Sequence, residues 1–548
     1  MTTTPAEAVG TPAGPAFPTQ GSAGLAVTRH LARLIRRGAL IVALAVAGMS
    51  AVVAGQYQST FAGALDGSAL RALAENPAIR ILFGPPIALD DPGGFTVWRT
   101  GTPVEVLTGV WALLTATRLT RGEEDAGHAD LLLGGRLRAV DLLTRCLTAL
   151  GAAAVVIAAA LALAMLVTGT QPTGALVHAG GILGGTVTFA AAGALSAQIM
   201  PTRAAATGLA VAALGVSLLL RMLADGIGML SWAAWVTPFG LTAQTAPYAC
   251  NRLLPLLVLA MFPILLGAAA VIVASRRDVG RGLLNPSGHR RPKTWLLHSI
   301  TGFAVRRALR ATAGWAAGIA AYFLLIGALL ASVLQFMQEN PKFAELAAAA
   351  GFGSLGTAEG FAAAIFGLVA IPVGLYAVTR IAAFAADESA RRSTSLFALP
   401  IRRERFAVTE LAVTAAGVFA LLTTAGLTLW IGASIADAPL DIASAVGGAW
   451  NTMPIALLAL GAALFALGWA PRAVALIGAV PVVGGFLLNV ILQSTEAPVW
   501  LTYLTPFGHL AAVPGTPPDW GAIAVLITIA ASLAALGVLG YRRRDLNT

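Results

Sequence analysis

Twelve stretches of apolar residues, each near the roughly 20 that cross a hydrocarbon core, punctuate this chain of 548 residues. They fall at about 39–58, 102–118, 143–168, 174–199, 205–225 and 252–275, then at about 312–336, 359–380, 407–433, 442–469, 473–493 and 519–540. Soluble domains are about a quarter charged, whereas this chain is 57% hydrophobic and 11% charged. That balance excludes a water-soluble enzyme, and it excludes a disordered chain, which needs low hydrophobicity and high charge. The expected fold is an all-α integral membrane protein, because helices satisfy their backbone polar groups internally. The segment at 102–118 is the shortest and carries Glu105.

The charge is placed in order. With a cytoplasmic N-terminus, 29 of the 35 basic residues fall in loops on the same side, the positive-inside pattern. The exceptions are Arg71, Arg80, Arg99, Arg221, Arg252 and Lys342. Both termini are therefore expected inside, and the excess of +10 needs no nucleic acid to explain it. Residues 1–24, rich in Thr, Pro, Ala and Gly, read as a disordered cytoplasmic tail. Cys146 and Cys250 fall near opposite faces, so no disulfide is expected between them.

The two halves repeat. Trp235-Val-Thr-Pro-Phe-Gly240 returns as Tyr503-Leu-Thr-Pro-Phe-Gly508, and Thr117-Arg118 with Glu123-Glu124-Asp125 returns as Thr379-Arg380 with Asp387-Glu388. Each half opens with a basic amphipathic stretch, Val27 to Gly38 and Phe303 to Ala313, suited to an interfacial helix or to plain topological anchoring. Six spans per half make this a parallel repeat. The expected domains are 25–275 and 298–548, joined by a cytoplasmic linker at 276–297.

Three kinds of motif stand out. The loop after the second span runs from acidic (Glu123, Glu124, Asp125) to apolar (Leu131, Leu132, Leu133), and its counterpart from Asp387 and Glu388 to Leu396 and Phe397. A short helix there would offer an apolar knob to a cytosolic partner, against the plainer reading of an ordinary loop. Pro238 and Phe239, with Pro506 and Phe507, mark segments too broken for a span and too apolar for a free loop. A re-entrant hairpin fits them, and so does an external loop with an aromatic belt. Arg221 and Asp225 lie four apart on one helix face, where they pair with each other or line a transport pathway. Their second-half counterparts are the uncharged Asn489 and Gln493, and Glu105 and Glu359 each sit where a second span begins.

Absences narrow the reading further. No G-x-x-x-x-G-K-[ST] occurs, so ATP is not held by a P-loop of this chain. No His, Cys and carboxylate cluster has metal spacing, and no G-x-S-x-G is present. A transporter or a membrane scaffold is expected, and an enzyme is not.

The ordered set of motifs resembles the ABC-2 type exporter membrane subunit, in particular the fused twelve-span actinobacterial tetronasin-type permeases that export polyketide antibiotics. The resemblance covers residue 25 to the end. It implies two pseudo-symmetric six-helix bundles with interface helices and re-entrant hairpins, in a bacterial plasma membrane. It also implies a separate cytosolic ATPase, two copies per permease, docked on Glu123 to Gly135 and Asp387 to Leu399, with ATP and Mg on that partner and no cofactor on this chain. The expected partners are membrane lipids and a lipophilic small molecule that is the cargo moved outward. The alternatives are an ion-driven secondary transporter and a non-transporting scaffold or sensor.

Overall fold

A computed structural model of the chain describes residues 20–57, 80–81, 84–135, 137–284, 294–339, 341, 356–389, 402–494 and 498–544. Among these, the regular elements are helical. The chain divides into two compact units, one of residues 1–64 and 83–287, the other of 65–82 and 288–548.

In the first unit the helices are α1 (Gln20–Gln56), α2 (Pro92–Thr117), the short α3 (His128–Leu133), α4 (Ala139–Val167), α5 (Pro172–Ile199), α6 (Arg203–Gly226), the short α7 (Pro238–Gln244) and α8 (Leu254–Arg276). In the second they are α9 (Ile300–Glu339), α10 (Ala358–Ser389), α11 (Arg403–Ile435), α12 (Ile442–Asn451), α13 (Met453–Trp469), α14 (Val474–Ala479), α15 (Gly485–Ser494) and α16 (Trp520–Arg543). Packing repeats with the sequence. α1 on α4, α2 on α5 and α5 on α8 are matched by α9 on α11, α10 on α13 and α13 on α16.

Eleven helical segments among the described residues are long and apolar enough to cross a membrane. The twelfth expected span, at 102–118, lies within α2, which is helical over 26 residues yet is not one of the eleven. The reason is its surroundings. α2 packs on α1, α5 and α6, so protein covers much of it and polar side chains are tolerated. Its buried threonines turn their hydroxyls onto the preceding turn: Thr96 to Pro92 O at 2.7 Å, Thr100 to Thr96 O at 2.7 Å and Thr117 to Leu113 O at 3.0 Å. Asp91 starts the helix, accepting from the Gly93 and Gly94 N–H groups at 2.7 and 3.1 Å with Pro92 in the first turn. α8, in contrast, leaves Leu254, Leu257, Ile264 and Leu265 exposed, the signature of a lipid-facing helix.

The basic amphipathic stretches are continuous with the spans that follow them. α1 runs unbroken through Val27–Gly38 into its apolar part, and α9 does the same from residue 303. Val27, Leu31 and Ile35, at helical spacing, are buried against Ala112, Leu119, Cys146 and Leu150, while Arg29, Arg33, Arg36 and Arg37 are exposed. The apolar face of this stretch is thus covered by α2 and α4.

Helix backbones come close in both units: a Cβ on Gly193 of α5 would lie 2.9 Å from the Leu113 carbonyl oxygen of α2. The approach is closest in the second. A Cβ on Gly327 would lie 2.2 Å from the Leu429 carbonyl oxygen, and one on Gly432 would lie 2.2 Å from that of Leu324. Small residues permit such close crossings. In α1, Gly48 and Gly55 have open space around them while Gly24 and Gly38 face the Arg145 and Trp111 side chains, and α1 meets α4 through branched side chains.

Candidate functional site

The loop after α2 is held by a clasp of charges. α2 passes through a π-helical turn, Arg118–Gly122, into Glu123–Asp125, and Gly127 then reverses the chain at φ +74° before α3. Glu124 Oε2 accepts from Arg121 Nη1 at 2.8 Å and from Arg277 Nη1 at 2.9 Å, and its Oε1 accepts from Arg277 Nη2. Arg121 Nε donates to Ala197 O at 2.9 Å, and Arg277 Nε to Gln198 Oε1 at 2.7 Å. One carboxylate therefore joins the end of α2, the end of α5 and the residue following α8. Burial lowers the Arg121 pKa, and the Glu124 carboxylate opposes that by favouring the charged form.

The remaining acidic residues of the loop are also engaged. Glu123 Oε2 lies 3.0 Å from His128 Nδ1, and Asp125 Oδ2 accepts from the Arg203 N–H at 2.8 Å, at the start of α6. Leu132 is partly covered by the apolar cluster around Leu119 and Leu150. Leu133 is half-buried, whereas Leu131 is 81% exposed. The surface offered by α3 is thus a single leucine projecting from a braced loop.

The second unit repeats the clasp. Glu388 accepts from Arg544 Nη2, and Arg544 Nη1 donates to Leu467 O at 2.6 Å. Arg544 follows α16 as Arg277 follows α8, and Leu467 stands near the end of α13 as Ala197 does in α5. Around it, Arg307 reaches Asp387 at 3.4 Å and Glu410 at 3.5 Å, and Arg380 reaches Glu410 at 3.1 Å. Leu396 and Phe397 lie outside the described residues. The arginine partners escaped the motif reading, although Arg276-Arg277-Asp278 returning as Arg543-Arg544-Asp545 signalled them.

At the opposite end of the first unit, the expected pathway residues converge. Arg221 Nε pairs with Asp225 Oδ2 at 2.6 Å, and both side chains are buried. Glu105, 3% exposed, accepts from Thr242 Oγ1 at 3.2 Å. Glu105, Arg221 and Thr242 line one cavity of about 60 Å³ together with His178, Trp98 and Phe239. His178 went unnoticed in the sequence as a lone histidine in an apolar helix. It is 1% exposed, and neither ring nitrogen has a hydrogen-bond partner among the described residues. Tyr248 closes the neighbourhood. Its ring fills the space that Cβ atoms on Gly93 and Gly174 would occupy, and its hydroxyl lies 3.0 Å from Thr170 Oγ1. Burial pushes that hydroxyl up to about 12.

Among the described residues, the second unit does not reproduce this cluster. Glu359 is exposed in the first turn of α10. Asn489 is half-buried, and its Oδ1 accepts from Thr505 Oγ1 at 3.1 Å. Gln493 lies on α15, with its side chain outside the described residues.

The Thr-Pro-Phe-Gly segments fold alike. Thr237 and Thr505 each cap a short helix, their hydroxyls accepting from the Gly240 and Gly508 N–H groups at 3.0 and 3.1 Å, with Pro238 and Pro506 in first position. A Cβ on Gly240 would meet Ala234 O at 2.3 Å, and one on Gly508 would meet Thr502 O at 2.2 Å, so glycine is required at both. Phe239 packs on Phe189 at 5.4 Å and Phe507 on Phe486 at 5.7 Å.

Comparison with known proteins agrees with this architecture. Residues 297–542 match the family described as "Multidrug efflux system permease Rv1217c, C-terminal domain". Over 546 residues, 97% of this chain and 98% of the relative, the chain is 28% identical to the multidrug efflux system permease protein Rv1217c of Mycobacterium tuberculosis (strain ATCC 25618 / H37Rv). Two helical units on one packing plan, eleven membrane-length apolar helices among the described residues and a relative matched almost end to end describe a multi-pass membrane protein that is similar to multidrug efflux permeases.

Proposed function

We propose that this chain is the permease of an ATP-driven exporter that moves hydrophobic or amphipathic small molecules out of a bacterial cell. ATP and Mg are bound and hydrolysed on a separate cytosolic ATPase, two copies of which dock on the loops following α2 and α10. Those loops face the cytoplasm with both termini, in keeping with the side on which basic residues concentrate.

The observation that carries this reading is the clasp at Glu124 and Arg277, repeated at Glu388 and Arg544. A loop fastened to the ends of three helices passes a push on Leu131 into the bundle rather than absorbing it. Buried ion pairs of this kind add little net stability beside an apolar replacement, and they fix geometry, which is what a coupling element needs. Its rival, ion-driven transport, draws on the buried carboxylate of Glu105.

The test is co-purification of the permease with its candidate ATPase, followed by export from vesicles. Leu131→Asp is expected to keep the fold and lose both ATPase capture and ATP-dependent export. An ATPase that never binds the wild-type permease, or export that follows the proton gradient while ATP is present, overturns the proposal.

A further inference from the structure

The cavity of the first unit holds a buried carboxyl group, Glu105, beside an arginine that is already paired. Arg221 and Asp225 neutralise each other at 2.6 Å. Glu105 is buried beside them, its hydrogen bond coming from the uncharged Thr242 hydroxyl. Charged groups inside a bilayer-spanning bundle are ordinarily paired, and among the described residues Glu105 has no ion-pair partner within 4.0 Å. His178 adds a second, independent sign, as a fully buried imidazole lining the same cavity with both nitrogens unpartnered there. Buried polar groups without partners are uncommon and await a ligand or water.

The cavity is built for occupancy. Glycines on α5 clear its floor: a Cβ on Gly185 would lie 2.7 Å from Glu105 Oε1, and one on Gly181 would lie 2.7 Å from Thr242 Cγ2. Gly84 lies over Arg221 at a φ of +89°, and its carbonyl accepts from Trp98 Nε1 at 3.2 Å, which pins that edge. A volume of about 60 Å³ exceeds the roughly 10–15 Å³ one water needs and admits a small polar head.

We propose that this cavity recognises the cationic head of an organic ammonium ligand, with Glu105 as counter-ion and His178 as a hydrogen-bond acceptor. An alkylammonium offers three N–H donors, and the carboxylate and a neutral imidazole nitrogen supply acceptors. Trp98 and Phe239 add aromatic surface of the kind that attracts cations. Among the described residues the second unit has Asn489 bonded to Thr505 and an exposed Glu359 in place of this cluster. That the ammonium ligand is cargo rests on the exporter reading, whereas the binding itself does not.

The experiment uses the full-length permease in nanodiscs, without ATPase, titrated with butylammonium and, in parallel, with butanoate and butan-1-ol of matched chain length. Binding is read by saturation-transfer NMR and calorimetry. Butylammonium is expected to bind saturably and at least about tenfold more tightly than either control. Glu105→Gln is expected to weaken it about tenfold or more, and Glu359→Gln, exposed in the other unit, to leave it unchanged. Should Glu105→Gln fail to fold, Thr242→Val, which removes the hydroxyl on Oε1, is read instead, with a loss of about threefold expected. No saturable butylammonium binding by the wild type, equal binding of butanoate, or an affinity indifferent to these substitutions overturns the proposal. Butylammonium binding without ATPase capture would sink the exporter reading alone.

Discussion

Glu124 and Glu388 occupy corresponding places in the two units, and each is clasped by the arginine that follows the unit's last helix. Glu105 and Glu359 each lie near the start of their half's second span, yet one is buried in a polar cavity and the other is exposed on a first helical turn. The repeat is thus kept where the loops are fastened and lost where the cavity forms. A device that must act on both bundles together gains from two matched attachment points. Where the first unit has Arg221 and Asp225, the second carries the uncharged Asn489 and Gln493.

The largest expected effect tests whether the clasps are equivalent. Arg544→Ala leaves the largely buried Glu388 carboxylate without its arginine, at a cost of roughly 3–5 kcal/mol. After Arg277→Ala, Glu124 keeps Arg121 at 2.8 Å and a smaller loss is expected. Both are measured as loss of thermal stability of the purified permease. A loss for only one of them breaks the equivalence. Next is the contrast in helix contacts. Gly432→Leu forces a side chain against the Leu324 carbonyl and is expected to cost roughly 1–3 kcal/mol, whereas Gly48→Leu, with open space around it, is expected to leave the same melting profile nearly unchanged. Thr237→Val and Thr505→Val each remove a cap worth about 1 kcal/mol, and equal shifts would show that the Thr-Pro-Phe-Gly turns carry the same load. Smallest is Glu359→Gln, within about 0.5 kcal/mol as a surface change and silent in transport. A measurable transport defect there would restore the expected symmetry of the far ends.

Much of this was written in the chain in one dimension. Hydropathy marked the helices because lipid rewards uninterrupted apolar runs, and the duplicated Thr-Pro-Phe-Gly and acidic loops announced two units. The segment at 102–118 was harder, since α2 is covered by protein and its threonines answer their own backbone. The internal partners of the acidic trio were not legible: Glu123, Glu124 and Asp125 engage His128, Arg277 and the Arg203 N–H. Those partners are up to 153 residues away, and no local pattern reports a contact of that range. The arginines were nonetheless marked by the returning Arg-Arg-Asp. His178 carried no signal beyond its identity, because a lone histidine becomes meaningful only once its neighbours fail to bond it.

The unbroken first helix of each unit has a mechanical consequence. At about 1.5 Å per residue, the 37 residues of α1 and the 40 of α9 form beams of about 55 and 60 Å, against a hydrocarbon core of about 30 Å. Each beam therefore projects well past the acyl chains, and its projecting part carries the arginines. With no hinge between the basic and apolar parts, whatever sets the tilt at the headgroups sets it through the whole thickness. The anionic lipid content of the bilayer then becomes a setting on the packing of both bundles, and vesicles differing only in surface charge would not present the same transporter.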